Sequence, residues 1–281
     1  MIVPPPPRLD SRTTGAVNCR RWWIHLILVG AYVLFIGVMG MEHRQTRLHF
    51  PALTHTPAGL LLVSASELLI FALVFSLALF ASQASRDDLL LRWRGGFWPV
   101  PLGIGYSVAI RLAIAILMMA AGTILFVTHI MSAQSLQEFV ATHRPNYEAL
   151  VDVSAMRQNP LYFWLVLTLV SFLVAGLREE LWRSAFLAGL RALWPRSFDS
   201  RTGQIAAVAV AAIVFGFGHL GMGLFTVLIT GIIGFGLGLI MIFHRSIWPA
   251  VIAHGMFDAS SLAMLPWVAD RLQDIQRTAG H

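Results

Sequence analysis

The residues most able to do chemistry are Arg178-Glu179-Glu180-Leu181-Trp182-Arg183, set between the apolar runs Leu161 to Leu177 and Ser184 to Leu190. Ionisable side chains at the middle of a bilayer cost about 2.5–3.5 kcal/mol each on insertion scales. On a helix, Glu179 and Arg183 are four apart and Glu180 and Arg183 three apart, so the arginine can neutralise either carboxylate. Alone, this stretch reads equally well as an ion-paired helix end with Trp182 at the membrane interface. Two later segments change that reading. One apolar run ends Phe215-Gly216-Phe217-Gly218-His219, and another carries His254-Gly255-Met256-Phe257-Asp258. His254 and Asp258, four apart, share a helix face inside an apolar segment. Charged and polar groups inside a bundle must face one another or a water-filled cavity, so convergence of the three segments is the cheapest arrangement.

A carboxylate beside an imidazole can hold and deprotonate a water, the general-base half of hydrolysis. A second imidazole with a carboxyl group nearby can stabilise the oxyanion formed when that water attacks a carbonyl. An arginine would keep one glutamate ionised and in place. The set Glu179, Glu180, Arg183, His219, His254 and Asp258 therefore suffices for hydrolysis of a peptide bond without a covalent intermediate. Two histidines and a glutamate are also a known zinc ligand set. A metal-free site is the expectation, because an arginine-bound glutamate disfavours a competing cation, and zinc at the Glu/His cluster is the alternative.

The elements that must position these groups are membrane helices. The chain has 281 residues, 57% hydrophobic and 12% charged, against about 25% charged in a soluble domain, which makes it an integral membrane protein. Its positive charge comes from arginines scattered through loops and tails, so nucleic acid is excluded as a partner and membrane topology explains the high pI. The single cysteine, Cys19, excludes an internal disulfide and a cysteine metal site.

The expected fold is all-α, a polytopic bundle of about seven to eight spans with the catalytic core in the C-terminal four. Residues 1–21, with four prolines in succession, read as a disordered cytoplasmic tail. Three N-terminal spans are expected within 22–127, at Trp22–Met41, Ala58–Ser82 and Ile104–Val127. A polar connecting segment follows at 128–160, with a short surface helix near Leu136–Val140. The catalytic bundle occupies 161–267: Leu161 onward as helix to near Leu193, then Gly203–Leu220, Gly223–Phe243 and Ile247–Trp267. Residues 268–281 read as a frayed tail. Arginine counts alternate between successive loops, which places the N-terminus in the cytoplasm, and the expected location is the cell inner (plasma) membrane. Glu67 and Arg111, each inside an apolar run, are expected to pair with each other, and the glycines of 231–238 to serve helix packing.

The three motifs in this order resemble the CAAX protease and bacteriocin-processing (CPBP, or Abi) family of intramembrane endopeptidases: Glu179-Glu180 followed by Arg183, Phe215 to His219, and His254 to Asp258 after Ile247-Trp248-Pro249-Ala250. The resemblance covers about Leu161 to Leu265. It implies hydrolysis of a peptide bond in a membrane-associated protein or peptide, with prenylated CAAX-type proteins among the candidate substrates. Glu179 (or Glu180) and His219 would act on the water, and His254 with Asp258 near the oxyanion. The family pattern has three residues between the second glutamate and the arginine, and this chain has two. Anchoring on either end leaves Glu179 or Glu180 as the base, with Glu179 favoured for its spacing to Arg183. Asp258 stands where many relatives have asparagine. The rival readings are a non-enzymatic chaperone, immunity or peptide-binding protein using the same polar pocket, and a proton-coupled transporter.

Overall fold

The computed structural model describes residues 19–46, 55–93, 95–143, 151–198 and 200–279. Residues 1–18 of the tail expected at 1–21, the loop residues 47–54 and the connecting residues 144–150 lie outside them, and residues 19–21 of that tail belong to the first helix. Among the described residues the chain is all-α, with ten helices and no strand. They are α1 (Cys19–Thr46), α2 (Pro57–Ser82), α3 (Pro99–Val127), α4 (Ala133–His143), α5 (Val153–Gln158), α6 (Pro160–Leu193), α7 (Pro195–Phe198), α8 (Arg201–Phe217), α9 (Leu224–His244) and α10 (Trp248–Ala279).

Five helices, α1, α2, α3, α6 and α9, are long and apolar enough to cross a membrane, and α8 is a shorter apolar helix. This defines an integral membrane protein. Helix α10 has the length for a span, but His254, Asp258, Ser260 and Ser261 dilute its apolar character. It also continues to Ala279, so the tail expected from 268 is helical nearly to its end. The ends of the other helices follow local chemistry. Thr56 caps α2 by accepting from Gly59 N at 3.1 Å, Asn159 caps α6 through Leu161 N, and Ser200 caps α8 through Gly203 N. Pro57, Pro99 and Pro160 occupy first-turn positions, where the missing N–H costs nothing.

Helix α6 is continuous through the acidic stretch, yet its segment Val166–Leu177 is wound as π-helix, which the apolar sequence did not announce. Ser171 Oγ donates to Val166 O, five residues back, at 3.0 Å, supplying one bond in the wider turn. Such turns are rare and concentrate at functional sites. Here the π segment leads directly into Arg178, and helix α10 packs along it.

Glycines bring the two helices together. A Cβ on Gly176 would lie 3.1 Å from Val251 O, and one on Gly255 would lie 2.3 Å from Phe172 Cδ1. On α9, a Cβ on Gly234 would meet Phe215 at 2.8 Å and Arg183 at 3.3 Å, and one on Gly238 would meet Val208 at 2.6 Å. The expected packing role of the 231–238 glycines is therefore to make room for Arg183 and its neighbours. Gly255→Ala is expected to destabilise the protein by about 1–3 kcal/mol, the usual range for overpacking. Phe172→Leu in the same chain should recover part of that loss. Thermal unfolding in detergent measures both.

Helix α1 is fastened to the centre of the bundle by polar bonds. Fully buried His25 has Nδ1 3.0 Å from Ala78 O of α2 and Nε2 2.9 Å from Ala185 O of α6. Trp182 Nε1 donates to Val29 O at 2.8 Å, and the indole is 2% exposed. Trp182 is thus a core residue stacked on Phe186, not an interfacial belt residue as its sequence context suggested. The basic connection after α2 is likewise drawn inward. Leu89 and Leu90 are buried, and the carbonyls of Leu89, Leu90, Leu91 and Arg92 accept from Ser184 Oγ, Ile247 N, Trp248 Nε1 and Ser246 Oγ. These bonds set where α10 begins.

In the connecting segment, α4 contains the short helix expected near 136–140. Asp152 caps α5, accepting from Ser154 N and Ala155 N at 2.8 and 3.0 Å and pairing with His55. Partial burial pushes its carboxyl up, but the bonds from Ser154, Ala155 and His55 outweigh this and hold it at about 2. Because the folded value is depressed, this cap contributes stability above the unfolded value near 3.9, and the contribution is lost as pH falls through about 2. The melting temperature should therefore drop more steeply between about pH 4 and 2 in the native protein than in Asp152→Asn.

Candidate active site

The acidic stretch emerges from the π segment with its side chains divided between two directions. Glu180 and Arg183 turn inward, both with fully buried side chains, and form a close ion pair three residues apart. The Arg183 guanidinium lies 4.4 Å from the centroid of the Phe215 ring of α8. This settles which glutamate takes the arginine. Arg183 pairs with Glu180, not with Glu179 as the four-residue spacing had suggested.

Glu179 is held instead by its neighbour. Arg178 Nη2 donates to Glu179 Oε1 at 3.1 Å, while Arg178 Nη1 donates to Glu67 Oε2 of α2 at 2.8 Å. The expected Glu67–Arg111 pair does not form. Arg111 Nη2 donates to Phe257 O at 2.9 Å, Ser260 Oγ at 2.7 Å and Ser261 Oγ at 3.2 Å on α10, with the guanidinium 4.5 Å from the Phe257 ring centroid. Nothing in the sequence distinguished partners on other helices.

His254 joins the two glutamates. Its Nδ1 is 3.0 Å from Glu180 Oε1, and its Nε2 lies 3.7 Å from Glu179 Oε2 and 3.6 Å from Asp258 Oδ2. A carboxylate accepts, so Nδ1–H donates to Glu180 and the ring orientation is fixed. Nε2 is thereby aimed between Glu179 and Asp258. Glu67, Glu179, Glu180 and Asp258 set four carboxylates against the guanidiniums of Arg111, Arg178 and Arg183. His254 Nε2 faces two of these carboxylates.

Exposure rises outward through the cluster. The side chains are 0% exposed at Glu180, 7% at His254, 16% at Glu179 and 31% at Asp258. Of the three carboxylates around His254, Glu179 and Asp258 are partly exposed and Glu180 is sealed beneath the ring.

Of the six residues singled out in the sequence, five are in this cluster: Glu179, Glu180, Arg183, His254 and Asp258. His219 stands apart. Its Nδ1 lies 3.1 Å from Phe215 O and its ring meets the Phe215 ring edge-on at 4.9 Å. Among the described residues it makes no ion pair or hydrogen bond with the cluster, and it reaches Arg183 only through Phe215. Three further participants were not among those six. The sequence reading named Arg178 only as the head of the acidic stretch, Glu67 only as a partner for Arg111, and Phe215 only as the start of the motif ending at His219. The four-residue spacing of Phe215 and His219 does place them on one helix face.

The donor set does not suit zinc as placed. Among the described residues no group of three or more His, Cys, Asp or Glu side chains is disposed to hold a metal ion. His254 Nδ1 is engaged by Glu180, Glu180 by Arg183, and His219 lies outside the cluster.

A helical membrane protein with an ionisable cluster just beyond the π-wound segment of its longest candidate span is the class that fold and site define. Residues 160–260 match the family model described as Type II CAAX prenyl endopeptidase Rce1-like. The matched segment contains all six residues carried by the three motifs. No curated protein and no solved structure matches the chain.

Proposed function

We propose that this protein is an intramembrane endopeptidase that hydrolyses a peptide bond of a membrane-associated protein or peptide, with prenylated CAAX-type proteins as the first candidates to test. The observation that carries the proposal is His254 placed between a buried, arginine-bound Glu180 and a partly exposed Glu179. In this reading Glu179 takes a proton from water, and the oxygen attacks the scissile carbonyl carbon. The oxyanion that forms accepts a hydrogen bond from His254 Nε2–H, which Glu180 orients from the opposite nitrogen. Collapse of the intermediate breaks the C–N bond, and Glu179 returns its proton to the leaving amine. Asp258 balances His254. His219, whose Nδ1–H donates to Phe215 O, retains Nε2 as an acceptor, which in this reading accepts from the second O–H of the attacking water.

The rival peptide-binding reading drew its support from the shortened gap between the second glutamate and the arginine. The Glu180–Arg183 pair forms across that gap all the same. For the membrane arrangement we favour seven spans, α1, α2, α3, α6, α8, α9 and α10, in the cell inner (plasma) membrane with the N-terminus cytoplasmic, because arginines alternate between successive loops. The decisive experiment is cleavage of a panel of fluorogenic peptides, free and prenylated, by the purified protein in detergent, with and without chelator. Cleavage that is resistant to chelator and lost in Glu179→Ala, His254→Ala and His219→Ala is the expected result. Peptide binding with no turnover would instead favour the non-enzymatic role.

A further inference from the structure

The Rce1-like segment begins at residue 160, yet the cluster is completed from outside it. Glu67 belongs to α2, and its carboxylate accepts from Arg178 Nη1 at 2.8 Å. The same guanidinium holds Glu179 Oε1 through Nη2 at 3.1 Å, leaving Oε2 as the oxygen nearest His254. Tyr32 of α1 lies against Arg178 as well, and its ring packs at 5.5 Å on Phe71 of α2. The Arg178 side chain is 14% exposed, whereas Glu67 is 43% exposed.

We infer that Glu67 and Arg178 are positioning residues that aim Glu179 at the reacting water, so that α1 and α2 complete the active site. This rests on the reading of Glu179 as the base. The physical reason is that a glutamate has three rotatable side-chain bonds, and Glu179, unlike Glu180, is not packed in place by complete burial. A planar guanidinium can grip two carboxylates at fixed angles with separate N–H groups. Anchored on a neighbouring helix, it converts a mobile carboxylate into one with a single presented oxygen. A shift of about 1 Å in such a group can cost about a hundredfold in rate. An ion pair that merely fastened α2 to α6 would leave the presentation of Glu179 unchanged when removed.

The test uses the full chain in detergent as Glu67→Gln, Arg178→Lys and Arg178→Met. The first readout is modification of Glu179 by a hydrophobic carbodiimide at neutral pH, followed by peptide mass mapping, with melting temperature measured in parallel. The second is kcat and KM on the fluorogenic peptide cleaved best by the native protein. Glu67→Gln and Arg178→Met should raise labelling of Glu179 several-fold, because its carboxylate is no longer shielded. Both should lower kcat, by up to about a hundredfold, with KM nearly unchanged. Arg178→Lys, a point donor that cannot grip both carboxylates, should fall between. Unchanged labelling in folded Glu67→Gln and Arg178→Met overturns the inference, even if kcat falls. If the native protein cleaves no peptide, the labelling result still decides, and only the protease reading is lost. If Arg178→Met does not fold, Glu67→Gln decides alone, since its altered group is the more exposed member of the pair.

Discussion

Glu179→Gln is expected to reduce peptide cleavage by about three orders of magnitude while leaving the folded protein intact. General-base catalysis contributes about 10²- to 10⁴-fold, and the amide keeps the size and one acceptor oxygen of the carboxylate but cannot take a proton. Little structure depends on its charge, because the side chain is partly exposed and Arg178 keeps its bond to Glu67 at 2.8 Å. Melting temperature and detergent elution profile should therefore match those of the native protein. A Glu179→Gln protein that turned over peptide at the native rate would remove Glu179 from the mechanism.

Glu180 differs from Glu179 by one position and is expected to differ in kind. Glu180→Gln leaves the Arg183 guanidinium charged and fully buried without its partner, and breaking a buried pair in this way costs about 3–5 kcal/mol. The loss should appear as a lower melting temperature and poorer recovery from the membrane. Replacing both members by apolar residues of similar size, Glu180→Leu with Arg183→Met, should restore much of the stability, since no charge is then stranded. It should not restore cleavage, because His254 Nδ1 would have lost the acceptor that orients the ring. Stability recovered together with activity would show that Glu180 does not act through His254.

The contrast between these two glutamates marks how far residue spacing reaches. Spacing three and four along one helix allowed Arg183 to take either carboxylate, and both choices were compatible with the sequence. The π segment from Val166 to Leu177 and the glycines at 176 and 255 decided the matter. They set the height and rotation at which α10 meets α6, and hence which glutamate lies under His254 Nδ1. A one-residue change in winding rotates a side chain by about 100° around a helix, and apolar residues alone do not encode it.

Composition and periodicity, by contrast, were sufficient for the membrane class. A chain with 12% charged residues and long apolar runs has few soluble solutions, and Pro57, Pro99 and Pro160 marked helix starts by their backbone chemistry alone. The same logic was enough to gather Glu179, Glu180, Arg183, His254 and Asp258, because charges inside a bundle must meet. It did not distinguish partners. Glu67 found Arg178 rather than Arg111, Arg111 found the hydroxyls of Ser260 and Ser261, and His219 remained on the far side of a Phe215 contact. Such pairings depend on which helices are neighbours and at what rotation, and packing of several helices at once determines that. The amino-acid order therefore determined that a polar site had to exist and which residue types would build it, while the tertiary structure decided which atoms face one another, since hydrogen bonds and ion pairs act over a few ångströms that only packing can set.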